Sequence, residues 1–410
     1  MDQISSALDP LIATPSPADL RVWLVHDWIT GMRGGERVLL ELVRLFPQAK
    51  IATLFYVPGS VHPAIESRIR RVSFLQEVPE IQRLYRSLLP ILPLAIRTMD
   101  LDPCDLVIST CHCVAKGIPL PPRLPRPGPT AVSFRPPHLC YCFTPMRYIW
   151  GMQDQYLADK GVIDSLKRQV LALLVRPLRA IDRRFNDDVT AFCANSHNVA
   201  ERIARCYHRP AATVYGGIDG DFYQPNGQPA GDFYLVVSAL VPYKRVDLAV
   251  AAFASAWGQN RRLIIIGKGP QEAQLRALAQ RGHTGGRNIE FLGWQSDESV
   301  RWHYQNAQAF VFPGEEDFGL TPLESLACGR PVIAYGQGGV LETLTPATGV
   351  MFGQQAVTAP ATLGGGLQEA IEEFEARRAS YDPVALHAHA VRFNWESFRR
   401  EIWDLARQLR

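Results

Sequence analysis

The sequence predicts an α/β protein built from two Rossmann-like units that face each other across a deep cleft. Three observations lead there. Short apolar runs of strand length alternate with amphipathic helical segments along the chain, the pattern of parallel sheets covered by helices. At 410 residues, the chain suits two domains better than one. The strand–loop–helix rhythm also starts afresh after a break near residues 205–230.

The first unit is read as follows. Arg21 to Val25 is a short apolar strand, followed by His26, Asp27 and Trp28 and then by Gly31, Gly34 and Gly35. Arg37 to Val43 has the spacing of an amphipathic helix, so strand, glycine loop and helix open the unit. Lys50 to Phe55 is the next strand, and Asp105 to Ser109 is a buried one ending in Thr110-Cys111-His112. Ala131 to Phe134, Leu139 to Cys142 and Val189 to Ala194 are further strands.

The second unit opens with Ala212 to Tyr215, leading into Gly216-Gly217. Phe233 to Ser238 starts its sheet; Leu240 to Arg245 and a helix through Ala251 follow. Arg262 to Gly267, Ile289 to Gly293 and Ala309 to Phe312 are strands, and Gly329-Arg330-Pro331 ends a helix before the strand Val332 to Ala334. A last helix runs around Trp395 to Leu409. Ligands then belong at the strand C-termini, in the cleft.

Bulk composition narrows the class. With 47% hydrophobic residues, 20% charged residues and a net charge of +3, the chain is neither disordered nor a dedicated nucleic-acid binder. No apolar run approaches the ~20 residues of a membrane-spanning helix. Residues 1–18 are polar and Pro-rich without the basic and apolar segments of a secretory signal, and read as a loose leader. The 8 cysteines include two close pairs, Cys111/Cys113 and Cys140/Cys142, at strand ends. Their one-residue spacer is not that of a zinc knuckle, so buried, reduced thiols in a cytoplasmic protein are expected.

The most informative run is Phe312-Pro313-Gly314-Glu315-Glu316-Asp317-Phe318-Gly319-Leu320-Thr321-Pro322-Leu323-Glu324. Glu316 and Glu324 flank a helix start, and backbone N–H groups at such a start attract phosphate-like anions. Carboxylates on either side suit sugar hydroxyls, so the run fits a nucleotide-sugar. It resembles the Glu-x7-Glu signature of retaining glycosyltransferases of family 4, with the GT-B fold, and in particular a bacterial polysaccharide mannosyltransferase branch. The resemblance covers roughly residues 20–405. It implies that Glu324 holds the donor ribose, that Glu316 lies beside the donor sugar, and that amides near Phe318, Gly319 and Leu320 meet the distal phosphate. After the loose leader at 1–18, it further implies an acceptor-side domain at 19–210, a donor-nucleotide domain at 211–385, and a helix at 386–410 returning to the first domain.

Other segments carry the same resemblance. Val241-Pro242-Tyr243-Lys244-Arg245-Val246-Asp247 is similar to the family's diphosphate-gripping segment, with Lys244 as the cation at the leaving group. Ala239 stands where an Arg is usual, so either Arg245 supplies the missing second cation or the donor phosphates are held less tightly. Gly267-Lys268-Gly269-Pro270 resembles the loop near base and ribose, and Gly34 and Gly35 the loop near phosphate and acceptor. His112 resembles a pocket histidine beside the donor sugar. His26, Asp27, Arg147 and Tyr148 are the acceptor-side candidates, and Phe143 replaces a frequent His.

The implied activity is transfer of a hexose, with retention, from a nucleotide-sugar to a glycan or lipid-linked oligosaccharide in polysaccharide biosynthesis. GDP-mannose is the favoured donor. A UDP-hexose or 6-deoxyhexose donor, or a degenerate sugar-nucleotide-binding scaffold subunit, stay open. No Asp-x-Asp motif stands in a suitable context, so no metal and no cofactor is expected. Two stretches bear on location: Leu84 to Ile96, rich in Leu and Pro, and Leu166 to Phe185, apolar but carrying Lys167, Arg168, Arg176, Arg179, Arg183 and Arg184. A basic amphipathic surface of this kind docks on anionic lipid headgroups, so peripheral contact with the inner membrane face through 166–185 is weighed against a core-packing helix with a solvated face.

Overall fold

The computed structural model of the chain describes residues 16–85, 87–122, 135–151, 162–353 and 365–409. Among these residues are a 7-stranded and a 6-stranded sheet. The first comprises β1 (Val22–His26), β2 (Lys50–Thr53), β3 (Ile69–Val72), β4 (Leu106–Cys111), β5 (His138–Cys142), β6 (Ala191–Ala194) and β7 (Ala211–Thr213), in the order β3-β2-β1-β4-β5-β6-β7. The second comprises β8 (Phe233–Val237), β9 (Arg262–Ile266), β10 (Ile289–Gly293), β11 (Phe310–Phe312), β12 (Val332–Tyr335) and β13 (Gly349–Phe352), in the order β10-β9-β8-β11-β12-β13. All pairings within the sheets are parallel.

The central strands read as continuous apolar runs because helices cover both of their faces. In β1, Trp23 and Val25 enter one hydrophobic cluster while Val22 and Leu24 enter another on the opposite face. Each sheet reverses its strand order beside its first strand, between β1 and β4 and again between β8 and β11. Such reversal points leave a crevice at the strand C-termini. His26 ends β1, and the Pro313 to Asp317 loop follows β11.

Five helices position the site: α1 (Gly34–Leu45), α2 (Val162–Arg184), α3 (His197–Tyr207), α4 (Leu320–Ala327) and α5 (Trp395–Gln408). The chain enters α5 from the second sheet unit, yet α5 packs on the first. Its start is fixed by Asn394, whose side chain accepts from Ser397 N at 2.8 Å. Phe398, Ile402 and Ala406 then join Val38, Leu39 and Leu42 of α1 in one cluster, and Arg399 pairs with the buried Glu41 of α1.

Several local expectations change. The strands β3 and β13 were not expected. β3 is an edge strand of Ile-Arg-Arg-Val, in which two arginines mask a short apolar pattern. Leu240 to Arg245 holds a single 3-10 turn, Pro242–Lys244. The Ala131 to Phe134 strand lies outside the described residues, as do residues 1–15 of the expected leader. All 8 cysteines are free and buried. Among the described residues, no helix is long and apolar enough to cross a membrane.

Candidate active site

At the first reversal point, Asp27 shapes the loop after β4. Its Oδ2 accepts from the backbone N–H groups of His112 and Cys113 at 2.7 and 2.9 Å, and its Oδ1 from those of Val114 and Ala115 at 2.6 and 2.7 Å. The side chain is 0% exposed. Asp27, expected on the acceptor side, is therefore a buried anchor with no free face in this structure. Four backbone donors converging on one carboxylate compensate its loss of hydration.

The same carboxylate orients His112, whose Nδ1 lies 3.1 Å from Asp27 Oδ2. The His112 ring meets Trp28 edge-on at 4.5 Å between centroids. Burial pushes the His112 pKa down, against the pull of Asp27, so the imidazole is neutral at pH 7. His26 is also withdrawn from the cleft. Its Nδ1 lies 2.7 Å from Thr110 Oγ1, and burial, with His112 nearby, pushes its pKa down to about 4. Phe143 packs between these rings and Tyr141.

At the second reversal point, Lys244 pairs with Glu316. The two residues, expected at opposite ends of the donor's scissile bond, thus neutralise each other here. Arg245, the candidate second cation, has another partner. It sits in the left-handed region at φ 49°, and its Nε lies 3.2 Å from Asp247 at the start of the next helix. Gly267 and Gly269 are explained by protein packing. A Cβ on either would lie 1.9 Å from Ser238 O or 2.3 Å from Leu240 O, so bare backbone is needed for the two loops to touch.

Gly319 caps α4 at φ 89°, a conformation that favours glycine. Phe318 is buried and stacks on Tyr215 at 5.6 Å. Leu320 lies opposite the glycine loop: a Cβ on Gly34 would meet its Cδ1 at 3.4 Å. A Cβ on Gly35 would meet His26 and Phe143 at 3.5 Å.

The cleft is spanned by ion pairs that the sequence reading did not contain. Arg147, expected to meet the acceptor, instead donates from Nε to Asp317 at 3.1 Å and lies 4.9 Å from the Tyr243 ring centre. Its neighbour Tyr148 packs, half-buried, on the N-terminal core. Arg202 of α3 donates to Asp317 at 2.7 Å and reaches Glu315 at 3.3 Å. Ser196 Oγ donates to Asp317 O at 2.5 Å. Glu342 accepts from the backbone of His197 and Asn198, at the start of α3, at 2.8 and 2.9 Å. Glu324 is 4% exposed; Arg37 of α1 donates to its Oε1 at 2.5 Å and Tyr304 OH to its Oε2 at 3.2 Å. Asp317 was the missed residue, and its signal was the unbroken acidic run Glu315-Glu316-Asp317.

The basic helix is only partly a solvated face. In α2, Arg179 and Arg183 stack on Trp150 at 5.0 and 4.9 Å, and donate to the carbonyls of Ile149 and Cys206. Arg176 and Arg184 stay exposed beside Leu173 and Ile181; the side chains of Lys167 and Arg168 lie outside the described residues. Among the described residues no cluster of three or more His, Cys, Asp or Glu is placed to hold a metal ion.

Residues 223–379 match the family described as Glycosyl transferases group 1. A GDP-mannose-dependent monoacylated alpha-(1-6)-phosphatidylinositol monomannoside mannosyltransferase of Corynebacterium glutamicum is 36% identical over 124 residues, 28% of this chain and 32% of that protein. O-antigen chain mannosyltransferase C of Escherichia coli is 28% identical over 210 residues, 48% of this chain and 54% of that protein. The chain thus spans about a third and about half of the lengths of these two relatives. Among solved structures, Anabaena Alr3699/HepE in complex with UDP-glucose superimposes with a TM-score of 0.63 at 14% identity, over 94% of this chain and 98% of that one.

Proposed function

We propose, from the premise that residues 223–379 belong to glycosyl transferases group 1 and that the chain has the GT-B fold, that this protein is a retaining hexosyltransferase acting on a nucleotide-sugar. The observation that carries the reading is the pairing of Lys244 with Glu316 at the second reversal point, beside the α4 start. A cation, a carboxylate and free helix-start amides meet where ligands of open α/β sheets bind.

In the reaction we infer, the nucleotide lies on the second sheet unit with its ribose at Glu324 and its sugar between Glu316 and His112. Lys244 exchanges Glu316 for the diphosphate, and with the amides near Gly319 it stabilises the charge that grows there. The bond from the anomeric carbon to the phosphate oxygen breaks. The acceptor oxygen attacks the same face, and its proton passes to the departing phosphate. His112, neutral and fixed by Asp27, presents a hydrogen-bonding edge to the sugar. Closure of the two halves limits attack by water.

We favour mannose from GDP-mannose as donor and a lipid-linked glycan as acceptor, because two of the relatives are mannosyltransferases, one of them GDP-mannose-dependent and acting on a phosphatidylinositol mannoside. A UDP-hexose is the second reading, favoured by the UDP-glucose held by the Anabaena protein. The exposed side chains Leu84, Ile91 and Leu94, with Arg176 and Arg184 on α2, support peripheral contact with an anionic membrane. Thermal unfolding with GDP-, UDP-, dTDP- and ADP-sugars, with and without EDTA, tests the donor. One donor class raising the midpoint by several degrees, unchanged by EDTA, supports a metal-independent transferase and names its base. No rise with any donor argues against the reading.

A further inference from the structure

Glu324, read above as the ribose ligand, is gripped from the other side of the cleft. Arg37 is carried by α1, which belongs to the first sheet unit, and its partner lies 287 residues further along the chain. The guanidinium has few other partners: Tyr223 OH at 3.5 Å and the exposed Asp297 at 3.5 Å. Glu324 in turn has one oxygen on Arg37 and the other on the buried Tyr304 hydroxyl. Each carboxylate oxygen can accept two hydrogen bonds. Both oxygens therefore keep an acceptor site after their protein partners are satisfied, and the plane of the carboxylate is fixed by groups from the two halves together.

We propose that Arg37 is a positioning residue for donor recognition: it holds Glu324 in the orientation that accepts the ribose hydroxyls, so that the ribose is read only when the two halves are closed. The inference rests on the assignment of Glu324 to the ribose. It links the first sheet unit, which is not expected to touch the nucleotide's ribose, to selection of that ribose. An open cleft leaves Glu324 held at one oxygen only, by the Tyr304 hydroxyl. Closure supplies the second support and completes the grip, the usual logic of a site assembled by domain movement.

The test compares ribose reading in the parent and in Arg37→Met, with Arg37→Lys as the conservative variant. Affinities for GDP, UDP and ADP, and for their 2′-deoxy and 3′-deoxy counterparts, are measured by calorimetry. Circular dichroism melts confirm that each variant is folded. In the parent, at least one deoxy form is expected to bind roughly 10- to 100-fold more weakly, the range for a hydrogen bond to a charged group. In Arg37→Met that ribo-to-deoxy ratio is expected to fall toward one, and Arg37→Lys is expected to restore part of it. An equal loss for ribo and deoxy forms would make Arg37 a fold-stabilising residue only and overturn the proposal. Tighter binding by Arg37→Met would also overturn it, since Arg37 would then compete with the ribose. If the parent binds none of the three nucleotides, the donor reading itself fails; if it binds them without regard to the ribose hydroxyls, the Glu324 assignment fails. Both outcomes are distinct from the Arg37 result.

Discussion

Burial decides what individual side chains in the cleft loops can do. Glu36, next to Gly35, is 5% exposed, and burial pushes its carboxyl up to about 7 against the nearby backbone N–H groups and Arg33. The folded state therefore holds a proton that the unfolded chain, at its ordinary value of 4.5, has already lost. The stability this provides is complete below the unfolded value and is lost as pH rises through 7. His26 and His138, both pushed down to about 4 by burial, act in the opposite sense: their contribution is complete above 6.5 and is lost as pH falls toward 4. Glu36→Gln separates the two trends. Urea unfolding should show a gain over the parent rising from under about 1 kcal/mol at pH 5 to about 3 kcal/mol at pH 8. A gain that stays constant with pH would place the ionisation elsewhere. The sequence pointed to Lys244, Glu316, Glu324 and His112 as candidates because short local runs carry the family resemblance. It did not reveal Asp27 as an anchor, since bonds to backbone N–H groups leave no trace in composition. Nor could it pair Arg147 with Asp317, 170 residues away.

The elements were legible where apolar runs were continuous, as in β1 and β9, and less so where an element depends on a distant partner. The clearest case is α2. Its basic residues suggested a surface helix, but its docking is set by a buried pair: Lys116 Nζ lies 2.6 Å from Asp182 Oδ1, and neither side chain is more than 1% exposed. Trp150 Nε1 donates to the other carboxylate oxygen at 2.6 Å, and the Tyr207 ring lies 4.4 Å from Lys116 Nζ. The trace in the sequence was a single Lys inside the apolar stretch after β4. Removing one partner of such a pair strands a charge in the core, whereas replacing both with apolar groups does not. Lys116→Met should cost roughly 3–5 kcal/mol in denaturant unfolding. The double variant Lys116→Met with Asp182→Leu should recover most of it. An additive double variant would mean that the two charges are solvated independently.

Across the whole molecule, Asp317 joins the halves: two arginines and a serine of the first unit converge on a loop of the second. Asp317→Asn keeps the shape and removes the charge. It is expected to enlarge the radius of gyration in small-angle scattering and to reduce transfer by about 100-fold, the scale of an ångström-sized misplacement of reacting groups. Unchanged scattering would show that the other cross-cleft contacts, Arg37–Glu324, Arg202–Glu315 and Glu342 with the start of α3, hold the halves together without the Asp317 charge. The repeated strand order of the two units was foreseeable from their repeated rhythm, whereas this joint was not, because it pairs residues from opposite halves. The path of α5 has a consequence for synthesis. The first sheet gains its last strand once Thr213 has left the ribosome, but the face that receives Phe398, Ile402 and Ala406 stays bare until α5 emerges. At ~5–20 residues per second, that interval lasts on the order of 10–40 seconds. Throughout it a nascent chain displays an oily groove along α1, a surface that trigger-type chaperones would bind and that neighbouring nascent chains on a crowded polysome could seize.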